Sequence, residues 1–176
     1  MGGRTQPEAK DSFLHFLRET LSCITSDQLT AFQESKKLFK VWFDPPAQVR
    51  LRDNSLARIS VIQIFTVVPD PQRGGFKAKT REYSYSFSTQ ADVEGVGLFS
   101  YHWHPHDLAV HFPHLHISSV PRVHFPTSRV FLEDFVLMLI EYYDVRPRLP
   151  HSEWTAILKK NKSAFNKMAT WTIQQP

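Results

Sequence analysis

Cysteine is almost absent from this 176-residue chain, with Cys23 the only one. No internal disulfide can form, and any metal site would have to be built from histidine and carboxylate. A lone thiol fits a reducing, cytoplasmic setting, and Cys23 falls in a helical apolar pattern where a small buried residue is expected. Long apolar runs are missing too. The longest, Phe131 to Ile140, is interrupted by Glu133 and Asp134 and falls short of the ~20 residues of a membrane helix. The start lacks the apolar core of a secretory signal, and Gln6 stands where a myristoylation motif wants Ser or Thr. No membrane association is expected. Neither His-Glu-x-x-His nor Cys-x-x-Cys occurs, and there is no internal repeat. Acidic residues are scarce at the C-terminal end: after Val145, Glu153 stands alone against Arg146, Arg148, Lys159, Lys160, Lys162 and Lys167. That stretch carries six positive charges and one negative, a balance of +5, whereas the whole chain carries +4. It suits either a nucleic acid or acidic protein partner, or simply a solvated basic face.

What is abundant is aromatic: 14 Phe, 5 Tyr and 4 Trp, enough for a single domain with an aromatic core. Residues 1–8 read as frayed. Phe13, Phe16, Leu17, Leu21 and Ile24 follow helical spacing, and Thr25 with Gln28 has the form of a capping box opening a second helix toward Trp42. Gln48 to Arg52, Leu56 to Val68, Lys77 to Thr89 and Val96 to His104 read as strands, with a turn at Pro69 to Gly75. After Pro126, Thr127 or Ser128 can cap a helix to about Tyr143, and Ser152 opens a last helix to about Thr170. The expected fold is α+β, a small antiparallel β-meander covered by N-terminal and C-terminal helices. It divides into a helical pair over 1–46, the sheet and His-rich loop over 47–118, and C-terminal helices with the basic tail over 119–176.

Seven of the nine histidines fall between His102 and His124. Period two puts His102 and His104 on one face of their strand, with Tyr101 and Trp103 on the other. His114 and His116 share a face of a second extended piece, and Asp107 lies between the two. Two His-x-His pairs, His102/His104 and His114/His116, form a workable zinc ligand set. Alternatively, two imidazoles act as general base and general acid on RNA without a metal, with Arg81, Arg122, Arg129, Lys159 and Lys160 as phosphate contacts. The plain reading is that these rings satisfy backbone carbonyls in an irregular loop. It covers His15 and His151 outright, and His124 is set aside with them. Tyr83 and Tyr85 could stack bases on an exposed sheet, but core packing is the favoured reading.

The run Arg81-Glu82-Tyr83-Ser84-Tyr85, then Phe99-Ser100-Tyr101, His106 and Phe112-Pro113-His114-Leu115-His116, resembles the TumE family of small bacterial toxins from toxin–antitoxin pairs. The resemblance spans about residues 50 to 143. Two departures stand out: Tyr101-His102-Trp103 replaces the family's Tyr-Asp-Asn element, and Pro113-His114-Leu115-His116 its His-His-x-His form. The resemblance implies a toxin-like protein with an antitoxin partner. Joined to the histidine reading, it yields an RNA-directed expectation in which His106, His114 and His116 are central, Glu82 orients an imidazole or accepts a proton, and Tyr101 positions it. The contrasting expectation is a non-enzymatic binding protein, with the histidines structural or holding zinc and an aromatic or basic surface docking a partner.

Overall fold

The alternation noted at Leu56 and Lys77 becomes two 14-residue strands joined by a turn, the longest elements of the sheet. The structure, a computed structural model, describes residues 2–35, 37–89, 98–106, 110–120 and 122–168. In chain order its elements are β1 (Gly2–Gly3), α1 (Gln6–Ser22), β2 (Thr30–Gln33), β3 (Leu38–Trp42), β4 (Ala47–Arg50), β5 (Leu56–Pro69), β6 (Phe76–Thr89), β7 (Phe99–Trp103), β8 (His114–Ile117), β9 (Phe125–Pro126), α2 (Leu132–Tyr142) and α3 (His151–Met168). Every strand pairing is antiparallel, in the order β2-β3-β5-β6-β7-β8-β9, with β4 also on β5 and β1 also on β6. The fold is therefore α+β with an open antiparallel sheet and helices from both ends of the chain, as the patterning implies. The sheet is larger than a simple meander.

One face of the sheet meets the helices. Ile59, Val61, Phe65, Tyr83, Tyr85, Phe87, Phe99 and Trp103 are buried there. Phe13 of α1 lies against Phe65 with ring centroids 4.5 Å apart, and Phe135 of α2 against Tyr85 at 5.5 Å. Each such buried aromatic contributes on the order of 1.5–3 kcal/mol. Tyr83 and Tyr85 are thus core residues, and the base-stacking alternative is not realised. Alternation sends Ser60, Ile62, Ser84, Ser86, Ser100 and His102 to the opposite face.

Two N-terminal expectations are corrected. No second helix follows Thr25. Its hydroxyl donates to the Gln48 carbonyl (3.0 Å) and accepts from the Asp27 N–H (3.2 Å), so it closes a local turn instead of capping a helix. The segment beyond pairs as β2 and β3, with Phe39 stacked on Phe65 at 5.2 Å. Residues 2–8 are ordered, because Thr5 and Glu8 form the reciprocal capping box of α1 and Gly2–Gly3 pair with β6. Gly75 (φ +86°) sits so close to that pairing that a Cβ there would lie 2.4 Å from the Gly3 carbonyl oxygen. α2 starts at Leu132 with Phe131 at its N-cap and no side-chain cap, so neither Thr127 nor Ser128 serves. Residues 169–170, the expected end of the last helix, lie outside the described residues, as do the start of the Val96 strand and Asp107.

Polar contacts tie the helical layer together. Lys160 pairs with Glu19 (2.6 Å) and Lys162 with Asp134, so part of the basic tail is used to hold α3 to its neighbours. Between the helices, Thr20 Oγ1 donates to Glu133 Oε1 (3.1 Å) and accepts from Asn161 Nδ2 (3.1 Å). Glu133 is 4% exposed, and its Oε2 has no hydrogen-bond partner among the described residues. Burial pushes its carboxyl above the ordinary range, offset in part by a backbone N–H and by Thr20.

Candidate functional site

The register of three strands gathers five imidazoles on the face away from the helices. β7 opposes β8 with His102 facing His114 and Ser100 facing His116. β8 opposes β9 with His114 facing Pro126 and Leu115 facing Phe125, and the next step of that register sets His124 against His116. The rings pack accordingly: His102 on His114 at 5.6 Å and nearly parallel, His102 on His116 at 4.9 Å, His114 on His116 at 4.9 Å, and His124 on His114 at 4.9 Å and on His116 at 4.5 Å. His104 borders the group, 5.4 Å from His102 and 6.4 Å from His114.

Within this cluster, His114, His116 and His124 each offer a ring nitrogen, and the three atoms lie within 4.8 Å of one another. Ligands of a tetrahedral zinc stand about 3.4 Å apart, so a contraction of about 1.4 Å at the widest pair completes the set. Burial grades across it, from buried His114 through half-buried His116 to exposed His124. His114 Nδ1 lies 2.9 Å from the Phe112 carbonyl oxygen. A carbonyl only accepts, so Nδ1 carries the proton and Nε2 the lone pair. Backbone anchoring of this kind orients metal-binding imidazoles.

His102 faces another way. Its Nε2 is 2.7 Å from Ser100 Oγ and its Nδ1 is 3.3 Å from His104 Nε2. His104 Nδ1 in turn lies 3.5 Å from Glu82 Oε2. Burial, then the neighbouring imidazoles, push His102 from 6.5 down to about 4. Burial and the same neighbours lower His116. Five close rings cannot all be cationic, and neutral imidazole is the form that binds a metal.

The sequence candidates divide in the structure. His102, His104, His114, His116 and Glu82 are brought together, and the shared faces of each His-x-His pair are present. The converging nitrogens, however, belong to His114, His116 and His124, not to the two His-x-His pairs as a set. His124, set aside on sequence, belongs to the cluster. β9 is only two residues long, so nothing in its pattern announces a strand. Its pairing with β8 is the signal. His106 lies exposed in the turn after β7, and among the described residues its ring stacks on none of the five. Tyr101 points to the helix side, its hydroxyl donating to Met138 Sδ at 3.6 Å.

The expected phosphate contacts do not form one surface by any contact among the described residues. Arg81 is the extra residue of a bulge in β6, since Glu82 faces Ile64 and Thr80 faces Phe65. The Arg129 guanidinium lies 3.3 Å from the Trp103 ring centroid, and burial lowers it to about 10. Lys160 is engaged by Glu19, while Arg122 and Lys159 are exposed. No described helix is long and apolar enough to cross a membrane. No protein-family model, curated protein or solved structure matches this chain.

Proposed function

We propose that this is a metal-binding protein whose centre is the triad His114, His116 and His124, taking a borderline divalent ion, zinc foremost. The observation that carries this reading is the convergence of three ring nitrogens within 4.8 Å, one of them oriented by a backbone carbonyl. Imidazole nitrogen suits zinc, copper, iron and nickel, and three protein ligands leave a coordination position open. A bound ion with such a position supplies Lewis acidity to a water or a polar substrate group. The chain's own residues would shape that position: His102 walls one side, held by Ser100 and His104, and Glu82 places a carboxylate at the rim through His104.

The test is cobalt substitution. Purified protein titrated with Co(II) should bind one equivalent and develop the strong visible absorption of a four-coordinate site. His114→Ala, His116→Ala and His124→Ala should each lose it, and His15→Ala should keep it. Absent or purely hexa-aquo absorption in the wild type refutes the metal centre.

A second reading, a toxin-like ribonuclease held by an antitoxin, is supported by the Glu82–His104 approach of 3.5 Å, an acid–imidazole pair beside further imidazoles. It predicts growth arrest and RNA cleavage on expression in bacteria, abolished in the His114→Ala/His116→Ala variant. Equal growth and intact RNA with both proteins exclude it.

A further inference from the structure

Far from the histidines along the chain, three arginines line one cavity, and among the described residues no acid pairs with any of them. The cavity has a volume of about 530 Å³, and its lining includes Arg50, Arg146 and Arg148, all three exposed, beside half-buried Leu56. Arg50 and Arg146 are held side by side, because the Arg146 N–H donates to the Arg50 carbonyl at 2.8 Å. Their guanidiniums turn to a single neutral residue. Arg50 Nη1 lies 3.4 Å from the Asn54 carbonyl oxygen and Arg146 Nη1 lies 3.4 Å from Asn54 Oδ1. Asn54 reaches both from a left-handed backbone, φ +69°. Arg148 is oriented by the end of α1, donating to the Thr25 carbonyl at 3.0 Å and the Ser22 carbonyl at 3.4 Å.

Among the described residues Asp27 is the sole carboxylate in the lining, and its Oδ2 accepts from the Gln48 N–H at 2.9 Å. Like charges placed side by side repel, and here neutral oxygens orient them without neutralising them. Arg148 alone has an internal explanation, as a cation at a helix C-terminus. Arg50 and Arg146 are exposed and have no carboxylate partner among the described residues. Each guanidinium has five N–H donors in a planar fork, matched to bidentate recognition of phosphate.

We propose that this cavity binds the phosphoryl group of a small molecule of nucleotide size, with Arg50 and Arg146 gripping the anion. Concavity favours a small ligand over a nucleic-acid strand. The lining shares no residue with the histidine cluster, so this site stands independently of any metal.

Calorimetric titration of the full chain with pyrophosphate, adenosine diphosphate and adenosine tests it, without added metal. Both phosphates should bind and adenosine should not, and affinity should fall at least tenfold in Arg50→Gln/Arg146→Gln. Arginine Nε–H resonances of the wild type should shift on adding pyrophosphate. A midpoint of thermal unfolding close to wild type, with Co(II) uptake unchanged, shows the double variant folded. Equal binding by wild type and variant, no binding to either phosphate, or binding confined to anionic phospholipid vesicles or to RNA overturns the proposal.

Discussion

Replacing Glu133 with Gln removes a buried carboxyl while keeping its shape, and the structure dictates both the sign and the pH window of the effect. Oε1 accepts from Thr20, Oε2 accepts from no described residue, and burial raises the carboxyl's pKa. A folded-state pKa above the unfolded value means the native protein holds the proton more tightly. The corresponding stability is therefore fully present below about pH 4.5, the ordinary value, and is lost as pH rises through the folded-state pKa. At pH 7 the wild type carries this loss and Glu133→Gln does not. Leaving a buried polar group unsatisfied costs about 1–3 kcal/mol and more when it is charged. The amide retains the oxygen that Thr20 uses but sets an unpartnered NH2 where Oε2 stood, so only the extra cost of the charge is removed. Glu133→Gln should therefore stabilise by on the order of 1 kcal/mol at pH 7, or roughly 2–4 °C in a domain of this size. Below pH 4 the two proteins should converge. Urea denaturation at a series of pH values reads both quantities. A variant less stable than wild type at pH 7, or a difference that ignores pH, refutes the assignment of Glu133 as a desolvated acid.

Three further outcomes are expected. Zinc at 100 times its dissociation constant should stabilise the wild type by about 2.7 kcal/mol, raising the thermal midpoint by roughly 5–10 °C. His124→Ala should abolish that rise with little change in the metal-free midpoint, because His124 is exposed, and His106→Ala should leave it intact. His102 titrates near 4 in the fold against an ordinary 6.5, so stability is full above pH 6.5 and declines as pH falls toward 4. His102→Gln should flatten that limb in a metal-free acid titration. Arg129→Ala should cost about 0.5–2 kcal/mol through the lost contact over Trp103 and shift the tryptophan emission, and Arg129→Lys should restore little of it because an ammonium cannot stack flat.

The strands with regular alternation, Leu56–Pro69 and Phe76–Thr89, are legible from pattern alone, and so are the shared faces of His102 with His104 and of His114 with His116. Such faces depend only on local backbone geometry. What fails to show is nonlocal. Thr25 and Gln28 have capping-box spacing, but the Gln48 carbonyl, 23 residues away, claims the hydroxyl. The real box at Thr5 and Glu8 is equally local and equally legible; the expectation that chain ends fray hides it. His124 enters the cluster only because β9 lies down on β8. The Arg50–Arg146 pair is invisible in sequence because 96 residues separate two arginines that backbone hydrogen bonding makes neighbours.

The sheet is built outward from the β5–β6 hairpin, with β8 and β9 added last at one side and β9 contributing only two paired residues. Such an outlying ladder opens by itself, at a free energy well below that of global unfolding. An ion shared by β8 and the approach to β9 would close that ladder from within. The amides of Leu115 and Phe125 would then exchange with solvent only as fast as the hairpin itself comes apart, making hydrogen exchange at this margin a direct gauge of occupancy.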